Sequence, residues 1–330
     1  MAEPMFIGVD IDGLPGNGGS RRARQADGFR VAAEAGVFDF VEIHASAAAH
    51  LKPFFELVDR YALPIRVIDG TWGVGGDEAN AKDLIDAGSR VGGKVLNVRL
   101  AGRRDDAPPS DEQLVAFWLQ LCEWGERAGC VPSLDACFAS GRDRTRIARL
   151  GDRLALMGAP FRVTLDHSDL LIKEEALQAP AAQDADTMLA GTSHARAVAQ
   201  RHADWIDRGW VCHVRTRGAL SRSAGKGRAG TASAPGERSG SPAAPQLWAK
   251  ARAEGWRRGL HQLIHWQASE LRPRLRQITC AFASPAGRRN GAGLDALRDN
   301  VACARWLRDL WLDQMEARYG GAPPRRHHHR

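Results

Sequence analysis

The chain of 330 residues contains no apolar run of about 18 residues, so no transmembrane helix is expected. Its first residues, MAEPMFIGVD, lack the basic region, long apolar core and cleavage site of a secretory signal and lead directly into an apolar strand, which predicts a cytoplasmic protein. There is no CxxC pair. The six cysteines, at 122, 130, 137, 212, 280 and 303, are scattered without zinc-finger spacing and read as reduced thiols, mostly packed as small hydrophobes. The glycines of DIDGLPGNGGS do not fall at GxGxxG spacing, so the first βα turn carries no dinucleotide fingerprint and reads as a loop.

The net positive charge is carried by two segments. Between Arg215 and Arg258 there are ten Lys/Arg against two Glu, and the ending PPRRHHHR adds three arginines, so these segments exceed the whole net charge of +7. The remainder is net acidic, which argues against nucleic acid as a partner, and no membrane partner is expected.

What the chain does have is 44% hydrophobic content and eight β-rich runs: MFIGVD, FDFVEIH, PIRVID, KVLNVRL, CVPSLD, FRVTLD, WVCHVR and RQITCAF. Continuous apolar strands alternating with amphipathic helices indicate parallel βα units whose two faces are both covered. The clearest helix is DEQLVAFWLQLCEWGERAG, with Ser110 as N-cap, Asp111 and Glu112 at its positive end and Gly129 as terminator. Eight such units predict one (β/α)8 TIM barrel rather than an open doubly wound sheet. It spans residues 1–320, with a flexible, disordered insertion at 221–245 after strand seven and a disordered, basic, His-rich tail at 321–330.

In such a barrel the catalytic groups come from the C-terminal ends of strands. These ends supply Asp10 and Asp12, Glu42 and His44, Asp69, Arg99, Asp135 and Cys137, then Asp166, His167 and Asp169 in VTLDHSDLL, and His213, Arg215 and Arg217. Oxygen ligands with some imidazole suit Mg, Mn, Co or Zn, which polarise a carbonyl and ease removal of an adjacent carbon-bound proton. Asp135 and Asp166 are the metal-ligand candidates. Glu42, His44, His167 and His213 are candidate bases or substrate contacts, while Asp166 and His167, adjacent on a strand, face opposite sides. An anion clamp by Arg99, Arg215 and Arg217 is a further reading.

These residues resemble the xylose isomerase-like TIM barrels, also called sugar phosphate isomerases/epimerases. The resemblance runs from FIGVD to NVACARWLRDLWLDQM and rests on VEIH, RVTLDHSDLL, RGWVCHVRTR and RQITCAF at successive strand ends. It implies a divalent metal held by Glu, Asp, His and Glu from strands five to eight. Asp166 matches the strand-six ligand and Asp135 stands for the Glu of strand five. Cys137 stands where a His often follows, Asp169 replaces the His of LDxSH, Arg215 stands at the strand-seven His, and Ala281 at the last Glu.

The resemblance thus implies metal ligands Asp135 and Asp166, catalytic groups Glu42, His44 and Asp169, and substrate contacts Cys137, His213 and Arg215. The implied chemistry is a metal-assisted proton or hydride shift on a small sugar or sugar acid, in a chain that can form a homo-oligomer. Arginine has no lone pair for a metal and alanine no ligand atom. The alternative is therefore a metal-free carbohydrate-binding or regulatory barrel, in which an inward Arg215 pairs with Asp166 or Asp169.

Overall fold

The structure is a computed structural model that describes residues 4–14, 20–101, 109–135, 141–167, 204–216, 257, 259–261, 263–268, 275–282 and 292–319. The 221–245 insertion, the 321–330 tail, Cys137, Asp169 and Arg217 lie outside the described residues.

Eight strands form a closed barrel: β1 (Phe6–Asp10), β2 (Phe40–His44), β3 (Ile65–Gly73), β4 (Val95–Ala101), β5 (Val131–Asp135), β6 (Val163–Asp166), β7 (Val211–Thr216) and β8 (Gln277–Cys280). All pairs are parallel, and β1 closes the ring by pairing with both β2 and β8. The expected single TIM barrel is therefore the fold, and its strands occur at the eight apolar runs because both of their faces are covered.

Helices pack outside: α1 (Arg21–Ala35), α2 (Phe55–Tyr61), α3 (Glu78–Arg90), α4 (Asp111–Ala128), α5 (Gly141–Leu156) and α6 (Ala292–Tyr319). Helix α4 starts in a full capping box, Ser110 with Gln113, and stops at Gly129 in the left-handed region at φ 66. Its Trp118 packs on Phe161, which meets Trp210 edge-on, and so joins the helix to the segments that lead into β6 and β7. Among the described residues, no helix is long and apolar enough to cross a membrane.

The barrel interior changes character from its N-terminal to its C-terminal end. At the bottom, Phe40, Val67 and Val95 form a separate apolar cluster against Phe6. Gly8 lies beside Phe40 in register, and a Cβ there would stand 2.3 Å from the ring, so only glycine leaves room for that plug. Above it lies a neutral polar layer. The Thr164 hydroxyl meets Asn97, Ser133 at 2.8 Å and His213 at 3.3 Å, while His213 Nε2 lies 2.8 Å from the Thr279 hydroxyl. The uppermost level is ionic.

Candidate active site

Strand β7 projects Arg215 into the upper barrel, in register with Asp166 on β6 and Thr279 on β8. Its side chain is 2% exposed. Nε donates to Glu42 Oε1 at 2.5 Å and Nη1 to Asp135 Oδ2 at 3.0 Å. Nη2 lies beside Glu42 and 3.3 Å from Asp69 Oδ2. A second guanidinium, Arg99, donates to Asp135 Oδ2 at 2.7 Å and lies 3.9 Å from Asp69. Strands β2, β3, β4, β5 and β7 thus each contribute one side chain to a single charge cluster.

The cluster holds three carboxylates against two guanidinium groups, and this imbalance sets the proton affinities. Burial opposes the charge on Arg215, but Glu42, Asp69 and Asp135 outweigh it and hold the guanidinium firmly protonated. Burial would also raise the Asp69 carboxyl, yet Arg215, the His44 hydrogen bond and Arg99 hold it well below the usual carboxylate range. Glu42 is the carboxylate left least compensated: burial pushes it upward, and Arg215 offsets only part of that.

Above the cluster opens a cavity of about 350 Å³. Glu42, Asp69 and Arg215 line it from the barrel, together with His44 at the end of β2. His44 Nδ1 lies 3.4 Å from Asp69 Oδ2, and its side chain is 31% exposed, so the ring is both oriented and reachable. Across the cavity, Asp12 accepts from Gln25 at 2.8 Å and from Arg21 at 3.2 Å, which ties the start of α1 to the loop after β1.

The sequence candidates divide as follows. Glu42, His44 and Arg215 line the cavity, and Asp135 lies beneath it, held by Arg99 and Arg215. Asp166 is buried, and strand alternation gives it the inward face it shares with Thr164. His167 turns the other way: a Cβ on Gly259 would stand 2.7 Å from its Cε1, which places the ring against the helical segment after β7.

One expectation needs correction. Arg215 does turn inward, but among the described residues the carboxylates that hold it come from Glu42, Asp69 and Asp135 rather than from Asp166, and Asp169 lies outside the described residues. His213, the other candidate on β7, lies in the buried polar layer, with Nε2 2.8 Å from the Thr279 hydroxyl. There, burial and the nearby Arg215 push its pKa well below the ordinary value and keep the ring neutral. Asp69 was the unassigned member, although its position at the end of PIRVID had marked it as a strand-end carboxylate.

The divalent metal implied by the resemblance does not fit this donor set. Among the described residues, no group of three or more His, Cys, Asp or Glu side chains is arranged to hold one. The physical cause is the guanidinium among Glu42, Asp69 and Asp135, which places a permanent cation between the carboxylates that a metal would need. Ala281, at the strand-eight ligand position, contributes only its backbone N–H, bonded to Thr216 O at 3.0 Å.

No protein-family model matches the chain, and no curated protein is similar to it in sequence. Solved structures are similar over nearly the whole length. A 3-keto-D-glucoside 4-epimerase from E. coli is 15% identical, with 92% of this chain and 99% of that one covered at a TM-score of 0.52. A xylose isomerase domain containing protein from Salmonella typhimurium is 14% identical, with 93% and 98% covered at 0.51. The fold is that of the xylose isomerase-like barrels. A D-allulose 3-epimerase from Methylomonas shares this fold at 13% identity, with 94% and 99% covered at 0.51. Sugar epimerases are therefore among the structural neighbours of this barrel.

Proposed function

We propose that the mouth of this barrel binds a small sugar and moves a proton on it, as an isomerase or epimerase. The observation that carries the reading is the oriented pair His44–Asp69 at the edge of a cavity whose other walls include Glu42 and Arg215. His44 Nε2 takes the proton from the carbon next to the sugar carbonyl while Nδ1 stays with Asp69. The C–H electron pair moves into the new carbon–carbon double bond, and the carbonyl electrons move to oxygen to form an enediolate. A proton delivered to the opposite face by a second acid, the part assigned to Glu42, inverts that carbon; return of the proton from His44 to the neighbouring carbon, with the hydroxyl proton passing to the enediolate oxygen, shifts the carbonyl. The buried positive charge of Arg215 favours the negative oxygen of the intermediate. The activities of the E. coli and Methylomonas neighbours support the choice of substrate class.

The test is solvent-deuterium incorporation into D-allulose and D-fructose, followed by NMR. Exchange is expected with the full chain, and loss of about a hundredfold or more is expected for His44→Ala. A second reading, a carbohydrate-binding barrel without turnover, is favoured by the engagement of all three cluster carboxylates with arginine. Sugar-dependent thermal stabilisation with no exchange on any ketose would select it.

A further inference from the structure

Two buried carboxylate oxygens of the cluster, Asp69 Oδ1 and Glu42 Oε2, complete no hydrogen bond among the described residues, and between them Arg215 Nη2 is ion-paired with Glu42 Oε1 and Asp69 Oδ2 without hydrogen-bond geometry. The neutral ring of His213 places Nε2 3.6 Å from Glu42 Oε2. All three side chains line the same cavity, and those of Arg215 and Glu42 are 2% and 3% exposed. Buried polar groups without partners are unfavourable and uncommon. One donor between two acceptors matches neighbouring hydroxyls, whose oxygens accept from the guanidinium and whose protons go to the carboxylates.

We propose that Arg215 takes the place of a divalent cation in this barrel, and that Arg215, Glu42 and Asp69 together bind the adjacent hydroxyl or carbonyl oxygens of an uncharged sugar without any metal. The proposal rests on the reading that a sugar occupies this mouth. The charge count of the lining supports an uncharged ligand: Asp10, Asp12, Glu42 and Asp69 outnumber Arg21, Arg24 and Arg215 by one. At the rim, Arg21 is already paired with Asp12, and Arg99 is bound to Asp135. A phosphate or carboxylate entering here meets net negative charge, whereas a polyol meets one donor and two acceptors.

The experiment uses the full chain with His327→Ala, His328→Ala and His329→Ala, so that metal held by the HHH run is removed from the count. The protein is exposed to Mn²⁺, Co²⁺, Zn²⁺ and Mg²⁺ in turn, washed, and subjected to elemental analysis. Melting temperature is then followed with D-allulose, D-fructose and D-fructose 6-phosphate, each with and without EDTA. The proposal expects metal far below one ion per chain and a sugar-dependent shift unchanged by EDTA. It also expects the phosphate to shift melting no more than the parent sugar. Stoichiometric retained metal, a sugar shift abolished by EDTA, a larger shift with the phosphate, or no shift with any of the three would each overturn it.

Arg215→Met adds an independent arm. With the guanidinium gone, Glu42, Asp69 and Asp135 become available to a cation, so Mn²⁺ or Co²⁺ should raise the melting temperature of the variant and leave that of the parent unchanged. Should the variant fail to fold, the parent measurements decide alone. Deuterium exchange separates this proposal from the proposed function. Exchange that requires added metal overturns the metal-free site but leaves the isomerase reading intact; a metal-free, sugar-stabilised protein without exchange does the reverse.

Discussion

Asp69 is the residue on which the two halves of the site meet: Oδ2 faces both His44 at 3.4 Å and Arg215 at 3.3 Å. Its ordinary pKa is 3.8, and the folded environment holds it well below that. A depressed carboxyl contributes stability that is present above its ordinary pKa and is lost as pH falls through the folded value. Asp69→Asn should therefore lower stability at pH 7 by about 1–3 kcal/mol, the range for breaking a charged hydrogen bond. The gap between variant and parent should narrow steadily as pH drops below 3.8. Thermal melts of both proteins across acidic pH check this; a gap of constant size would show that the carboxylate charge is not the source.

At the scale of the element, β1 and β2 illustrate how a strand is matched to its neighbour. Phe40 is fully buried inside the barrel, and Gly8 opposite it carries no side chain. In Gly8→Ala the added methyl meets three atoms of the ring at 2.3 to 2.5 Å, and a plug closed in by Val67 and Val95 has little room to move. Overpacking of this kind costs about 1–3 kcal/mol, which urea unfolding would read as a lower midpoint with unchanged slope. The same elements show what pattern alone conveys. The strands were readable because apolar runs of four to nine residues with covered faces look alike wherever they pair. Helix α4 was readable down to its caps, since Ser110, Gln113 and Gly129 act within a few residues of their own position.

For the whole molecule, the question is what keeps the ring closed. Beyond the β1–β8 pairing, α6 reaches back to the start of the chain: Arg308 donates to Val37 O at 2.9 Å and to Asp39 Oδ2 at 3.1 Å. Asp39 Oδ2 also accepts the Ile7 N–H at 2.9 Å, so one carboxylate joins the last helix to the first two strands. Arg308 is 27% exposed, which limits the value of its charge. Arg308→Ala is expected to cost about 1 kcal/mol, mainly through the lost hydrogen bonds. The loss should appear as faster amide exchange in β1 and α6, while α4 keeps its protection.

Sequence by itself determined the barrel and the strand ends at which chemistry would sit, while ligand positions at Arg215 and Ala281 are only what the family resemblance implies. Barrel and strand ends follow from local periodicity and from side-chain chemistry, both of which survive without knowledge of neighbours. It also marked Glu42, His44 and Asp69 as strand-end groups without relating one to another. Only the closed barrel decided that Glu42, 173 residues from Arg215, and Asp135, 80 residues away, share its guanidinium. It likewise decided that His213 is buried among Thr164 and Thr279. Strand alternation fixes which face a residue takes, but its height and partners inside the ring depend on register shifts such as those at Val41/Glu42 and Val163/Thr164. Those offsets arise from all eight strands closing together, and no single stretch of sequence contains them.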